Sequence, residues 1–167
     1  MSIWTHQINS PSDLEPVNNI LRQLIGQPWW KAMLSYGDEL RLDMGEKQEE
    51  TNPKLRDREK GAWILGLRTS EWKYEINGQE VISSESDSDA IKDYFKSMSN
   101  LIVTNFSVLE PILGLTLKFS NNGVLTAMPD EDEDELAYWE LFTPFDTLLE
   151  VGPGKTISYK RSDVPLG

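Results

Sequence analysis

Apolar residues recur along this chain with two distinct periods. Leu14, Val17, Ile20, Leu21, Leu24 and Ile25 are three and four apart, which predicts one helix over about residues 13–25. Ser12-Asp13-Leu14-Glu15 has the form of a capping box, Pro16 falls in the tolerant first turn, and Gly26 is a stop signal. A second helix is predicted after Ser86, Asp87 and Ser88, with Ile91, Tyr94, Phe95 and Met98 as its apolar face. Elsewhere the period is two or the run is short and apolar. Strands are predicted at 29–34, 40–44, 63–67, 72–76, 81–83, 101–103, 106–109, 115–119, 124–128, 138–142, 147–151 and 156–159. Asn77-Gly78, Asn121-Asn122-Gly123 and Gly152-Pro153-Gly154 read as turns between them, as does Gly37-Asp38. Residues 45–60 read as a charged loop.

The pattern repeats. An offset of 75 lays Leu40-Arg41-Leu42-Asp43-Met44 on Leu115-Thr116-Leu117-Lys118-Phe119, and an offset of 76 lays Trp63-Ile64-Leu65 on Trp139-Glu140-Leu141. The helical faces align at 74, with Val17 on Ile91 and Leu21 on Phe95. A fixed period of this kind is the mark of an internal duplication. The expected fold is therefore α+β: two similar halves, 12–84 and 86–160, each a helix followed by antiparallel strands, packed into a single domain over 1–167.

Composition narrows the function classes. The 167 residues include six Trp, five Tyr and five Phe, enough bulk for a core. There is no cysteine, so disulfides, thiolate chemistry and sulfur-based zinc sites are excluded. The opening MSIWTHQINSPSDLE lacks the pattern of a secretory leader, and no apolar run is long enough to span a bilayer. A cytoplasmic location is expected. The net charge of −12 argues against nucleic acid and against anionic membranes as partners, and favours a cationic one.

Candidate chemistry is sparse. His6 is the one histidine and lies near the N-terminus, where a surface position is expected. Phosphate-binding glycine motifs and HExxH are absent. Asp130, Glu131, Asp132, Glu133, Asp134 and Glu135 form an unbroken acidic run. Its D-x-D-x-D opening resembles a calcium loop, but the sixth position is Glu135 where Gly is required, and the twelfth is Leu141 where a bidentate Glu is required. No metal and no cofactor is expected. Under the repeat the run fills the place of residues 45–60, which carry five acids and five bases. Asp43, Glu75, Glu140 and Glu150 are the carboxylates expected in strands; Glu75 and Glu150 occupy matching positions, which favours pairing with a base. In the Trp29-Trp30 pair a strand would send one ring to each face.

Gly61-Ala62-Trp63-Ile64-Leu65 before Glu71-Trp72-Lys73-Tyr74, Leu117-Lys118-Phe119 leading to Asn122-Gly123-Val124-Leu125, and Tyr138-Trp139-Glu140-Leu141 together resemble small bacterial proteins of unassigned function, several of them associated with toxin–immunity loci. That resemblance implies a binding role. The expected function is a non-enzymatic acidic protein that neutralises a basic protein partner through Asp130 to Glu135. The alternative is a small-molecule-binding or enzymatic module, with a pocket between the halves lined by Trp63, Trp72 and Trp139.

Overall fold

Period-two alternation dominates the structure. The computed structural model describes residues 3–35, 39–49, 59–98 and 100–162. Its strands are β1 (Trp4–Gln7), β2 (Pro28–Leu34), β3 (Leu40–Glu49), β4 (Glu59–Leu67), β5 (Ser70–Ile76), β6 (Gln79–Ser83), β7 (Leu101–Leu109), β8 (Gly114–Phe119), β9 (Gly123–Pro129), β10 (Trp139–Phe142), β11 (Thr147–Val151) and β12 (Thr156–Arg161). All pair antiparallel in one sheet of order β1-β12-β11-β10-β4-β3-β2-β7-β8-β9-β5-β6. Two short helices accompany it: α1 (Glu15–Leu21), flanked by 3-10 turns at Pro11–Leu14 and Arg22–Leu24, and α2 (Ser88–Lys96).

This corrects the expected fold class. The chain is mostly one twelve-stranded antiparallel sheet with two short helices, not an α+β pair of helix-and-strand halves. The reason lies in two crossings. After β4, Arg68 and Thr69 carry the chain away from β3, and the β5–β6 hairpin adds to β9. After β9, residues 130–138 carry it back, and β10 to β12 add to β4. Neither 12–84 nor 86–160 closes a sheet of its own, so offsets near 75 do not mark self-contained units. The helices contribute less than their periodicity suggests, because α1 has seven residues and α2 nine.

The first helix also starts differently. Asp13, not Glu15, closes the cap: its carboxylate accepts from the N–H groups of Asn9 (2.9 Å) and Ser10 (3.1 Å), and these bonds hold its pKa below the ordinary value. Pro11 then occupies the first-turn position where its missing N–H costs nothing. Gly26 ends the segment at φ +92°.

Two further strand stretches were unexpected. β1 pairs with β12 through Trp4↔Tyr159 and His6↔Ile157. His6 is exposed there, with its ring 4.7 Å from Trp4. Residues 45–60, read as a loop, begin and end in strand: Lys47↔Gly61, Gln48↔Lys60 and Glu49↔Glu59 extend the β3–β4 hairpin. The Gly37-Asp38 turn and the centre of that loop lie outside the described residues.

One core runs through the sheet. The inner positions of β3 and β4, Leu40, Leu42, Met44, Trp63, Leu65 and Leu67, are all buried. Val17, Ile20 and Leu21 of α1 join them, as do Ile91 and Phe95 of α2. Trp29 sits where the two sections of the sheet meet, since β2 pairs with β7 only through Pro28↔Ile102 and Trp29↔Leu101. Its ring stacks on Phe119 (4.3 Å) and meets Tyr74 (5.7 Å) and Phe95 (5.9 Å) edge-on. Trp30 points the other way, half-exposed, with its Nε1 donating to the Gly45 carbonyl and the Lys47 ammonium 4.9 Å from its ring. Among the described residues no helix is long and apolar enough to cross a membrane.

Candidate functional site

The two crossings lock together, and the acidic run grows out of that lock. Arg68 and Thr69 both donate backbone N–H bonds to the Tyr138 carbonyl (3.1 and 3.2 Å). Ser70 Oγ donates to the same oxygen (2.8 Å), and Thr69 Oγ1 donates to Ala137 (3.0 Å). In return the Asp130 N–H donates to the Thr69 carbonyl (2.9 Å). Within the run, Asp130 Oδ1 accepts from the Asp132 N–H (3.0 Å), and Glu133 Oε1 accepts from the N–H groups of Leu136 (2.7 Å) and Glu135 (3.3 Å). A chain of six acids would spread itself by repulsion; these bonds hold it in one course.

Asp130, Glu131, Asp132 and Glu133 form one wall of an open cleft of ≈ 890 Å³. Glu71 at the start of β5 and Glu85 just past β6 stand on it as well, beside Arg68, the one cation in the lining among the described residues. Asp134 and Glu135 lie outside that lining. Met128 and Leu136, 46% and 44% exposed, flank the run with apolar surface. Six acidic residues from three separated segments thus line one space. Glu71 and Glu85 carried no signal of this in the sequence: the β5–β6 hairpin brings them in only because it is attached to β9. Among the described residues no three acids or histidines converge in a geometry suited to a metal ion, so the charge is spread along the wall.

The expected tryptophan pocket is not formed by its three rings. Trp63, Trp72 and Trp139 are 4%, 5% and 0% exposed. Each is packed against a different partner: Trp63 on Phe145, Trp72 on Phe95, and Trp139 on Phe106 with its Nε1 donating to the Leu113 carbonyl (2.9 Å). Inward positions on a fully covered sheet become core, and large rings gain most from being there.

The strand carboxylates fall into two kinds. Asp43 is fully buried, held by Arg41 through two bonds (3.0 and 3.2 Å) and accepting the Gly61 N–H (2.9 Å). A Cβ at Gly61 would lie 2.5 Å from both the N and the O of Met44, so only glycine lets β4 come this close to the bulge in β3. Glu140 and Glu150 instead face each other directly across β10 and β11. Like charges so placed repel. Lys160 pairs with Glu150, and the Arg68 guanidinium lies 3.7 Å from Glu140 and 3.6 Å from Glu39. Glu75 similarly has Lys73 at 3.5 Å.

Glu140 keeps a raised pKa in this ladder. Burial pushes it above the ordinary value of 4.5; Arg68 opposes the shift, Glu150 and Glu39 reinforce it, and Lys160 opposes it. The folded protein therefore holds this proton more tightly than the unfolded chain does. Its stabilising contribution is complete below pH 4.5 and is lost as pH rises through the raised folded value. Glu140→Gln, which keeps the neutral shape at every pH, is expected to equal or exceed the parent in stability at pH 7 and to lose its advantage near pH 4. Urea unfolding of both proteins across that range checks it. A variant less stable than the parent at pH 7 would refute the account.

No protein-family model matches the chain, and no curated protein or solved structure matches it. The site must speak through its own chemistry.

Proposed function

We propose that this protein is a non-enzymatic binding protein that neutralises a basic protein partner through the acidic cleft, in the manner of an immunity-type inhibitor. The observation that carries this reading is the convergence of Asp130, Glu131, Asp132, Glu133, Glu71 and Glu85 on one open space. Several features support it. The acidic wall is pre-ordered by backbone bonds, so little ordering entropy remains to be spent on binding. Exposed Met128 and Leu136 add apolar contact at its margin. A net charge of −12 steers a cationic partner towards it from a distance. The resemblance to proteins of toxin–immunity loci points the same way.

Titration with a deca-lysine peptide tests the site. Binding is expected to be saturable and to weaken steeply between about 50 mM and 500 mM salt, as screening shortens the reach of these charges. Changing Asp130, Glu131, Asp132 and Glu133 together to Asn or Gln is expected to leave the circular dichroism spectrum unchanged. The same change should lower the affinity roughly tenfold or more. Binding that ignores salt, or that survives the loop variant while acids elsewhere on the surface abolish it, would overturn the assignment.

A further inference from the structure

A second groove on the molecule has the opposite chemistry. β2 is paired with β3 along its length, but on its other side pairing with β7 stops at Trp29↔Leu101. From Trp30 to Leu34 no strand described here covers that edge. α2 packs alongside β2 and leaves a groove of ≈ 450 Å³ between them. Trp30, Ala32, Met33 and Leu34 supply apolar surface on the strand side, and Phe95 and Met98 on the helix side. Two lysines of α2, Lys92 and Lys96, complete it; Lys31 of β2 also lines the groove, but its ammonium is directed to the Glu59 carbonyl (3.5 Å) on β4. Among the described residues the lining contains no carboxylate, in a chain whose acids outnumber its bases 28 to 16.

Lys92 and Lys96 are four apart on the helix and so stand on one face. Neither makes an ion pair among the described residues, and both are exposed. Like-charged neighbours at this spacing are mildly unfavourable for the helix itself. Their placement over an apolar groove makes sense when an anion covers them.

We infer that this groove docks an extended segment of a partner protein carrying alternating acidic and apolar residues, added as a strand beside β2. Two independent features select this occupant. An open strand edge presents N–H and C=O groups that another extended backbone satisfies and an alkyl chain does not. The lysine rim over an apolar floor matches a segment with carboxylates on one side and apolar side chains on the other. The uncovered stretch is five residues, about 17 Å at roughly 3.4 Å per residue, which sets the length recognised. This groove is separate from the acidic cleft, and its occupant has the opposite charge.

The probe is a fluorescein-labelled seven-residue peptide of alternating Glu and Leu, followed by fluorescence anisotropy with the full chain. Saturable binding is expected, weakened roughly tenfold by the double change Lys92→Glu and Lys96→Glu. The same peptide with every backbone nitrogen methylated is expected not to bind, because no N–H remains on either edge for strand pairing. Both substitutions lie on exposed helical positions, and an unchanged circular dichroism spectrum confirms that the fold persists. Equal binding of the N-methylated peptide overturns strand addition. Dodecanoate binding without peptide binding makes the groove an amphiphile site and also overturns it. Concentration-dependent self-association lost in the lysine variant assigns the groove to a second copy, against the proposal.

Discussion

Trp29→Ala is expected to be the most damaging single substitution in this protein, costing about 3–5 kcal/mol in urea unfolding. The residue is 1% exposed and its ring touches Phe119, Tyr74 and Phe95, side chains from β8, β5 and α2. It also supplies one of the two register pairs that join β2 to β7. Removing the indole leaves a cavity at the seam between the sheet's two sections, and the rigid strands around it can close it only in part. It also strands Lys31 O, which accepts from the indole Nε1 at 2.9 Å. Trp30→Ala is the control. That ring is half-exposed, and its loss is expected to cost far less. Equal effects from the two would refute the assignment of Trp29 to the seam.

Asp43→Ala is expected to follow, with a loss of about 3 kcal/mol. The carboxylate is fully buried and accepts from two donors: Arg41 and the backbone N–H of Gly61. Arg41 is 27% exposed and can turn to water, which limits its share of the cost. The Gly61 N–H cannot, because β4 lies tight against Met44 at that point. Asp43→Asn keeps an acceptor for Gly61 while removing the charge, and is expected to cost about half as much. An Asn variant as unstable as the Ala variant would place the energy in the ion pair with Arg41 instead. Unfolding curves of the parent and both variants decide between these.

Much of the local structure was legible in the sequence. The Asn77-Gly78 hairpin appears with φ of +53° and +80°, the left-handed pair its turn type demands. The strands at Leu115–Phe119 and Val124–Met128 lie within β8 and β9. Strand alternation predicts opposite faces for Trp29 and Trp30; Trp29 is buried and Trp30 partly exposed, with a bulge in β2 at this point. β1 was missed because Trp4-Thr5-His6-Gln7 has one apolar side chain and becomes a strand only by pairing with β12. The extension of β3 was missed because its residues are charged; an antiparallel pair of exposed strands needs no apolar face to hold its register once the hairpin is nucleated.

The candidate site was legible only in part. Asp130 to Glu135 stand out as a run, but their meaning depends on Arg68, Glu71 and Glu85, which are distant in sequence. Trp63, Trp72 and Trp139 stand out equally, but each packs against a different aromatic ring, so the three do not line one common pocket.

By itself the sequence located most of the strands, the hairpin turns and the two helical segments, though not their exact bounds, since periods of two and 3.6 are local properties of the backbone. It also determined the net charge of −12. Tertiary structure alone decided which strands are neighbours. The hydrogen bonds between strands are made by backbone groups common to every residue, so an alternating pattern does not name its partner. The exchange of β5–β6 onto β9 and of β10–β12 onto β4 therefore left no local trace. That exchange is what turned two expected halves into one sheet, and what drew six acidic residues from three segments around a single cleft.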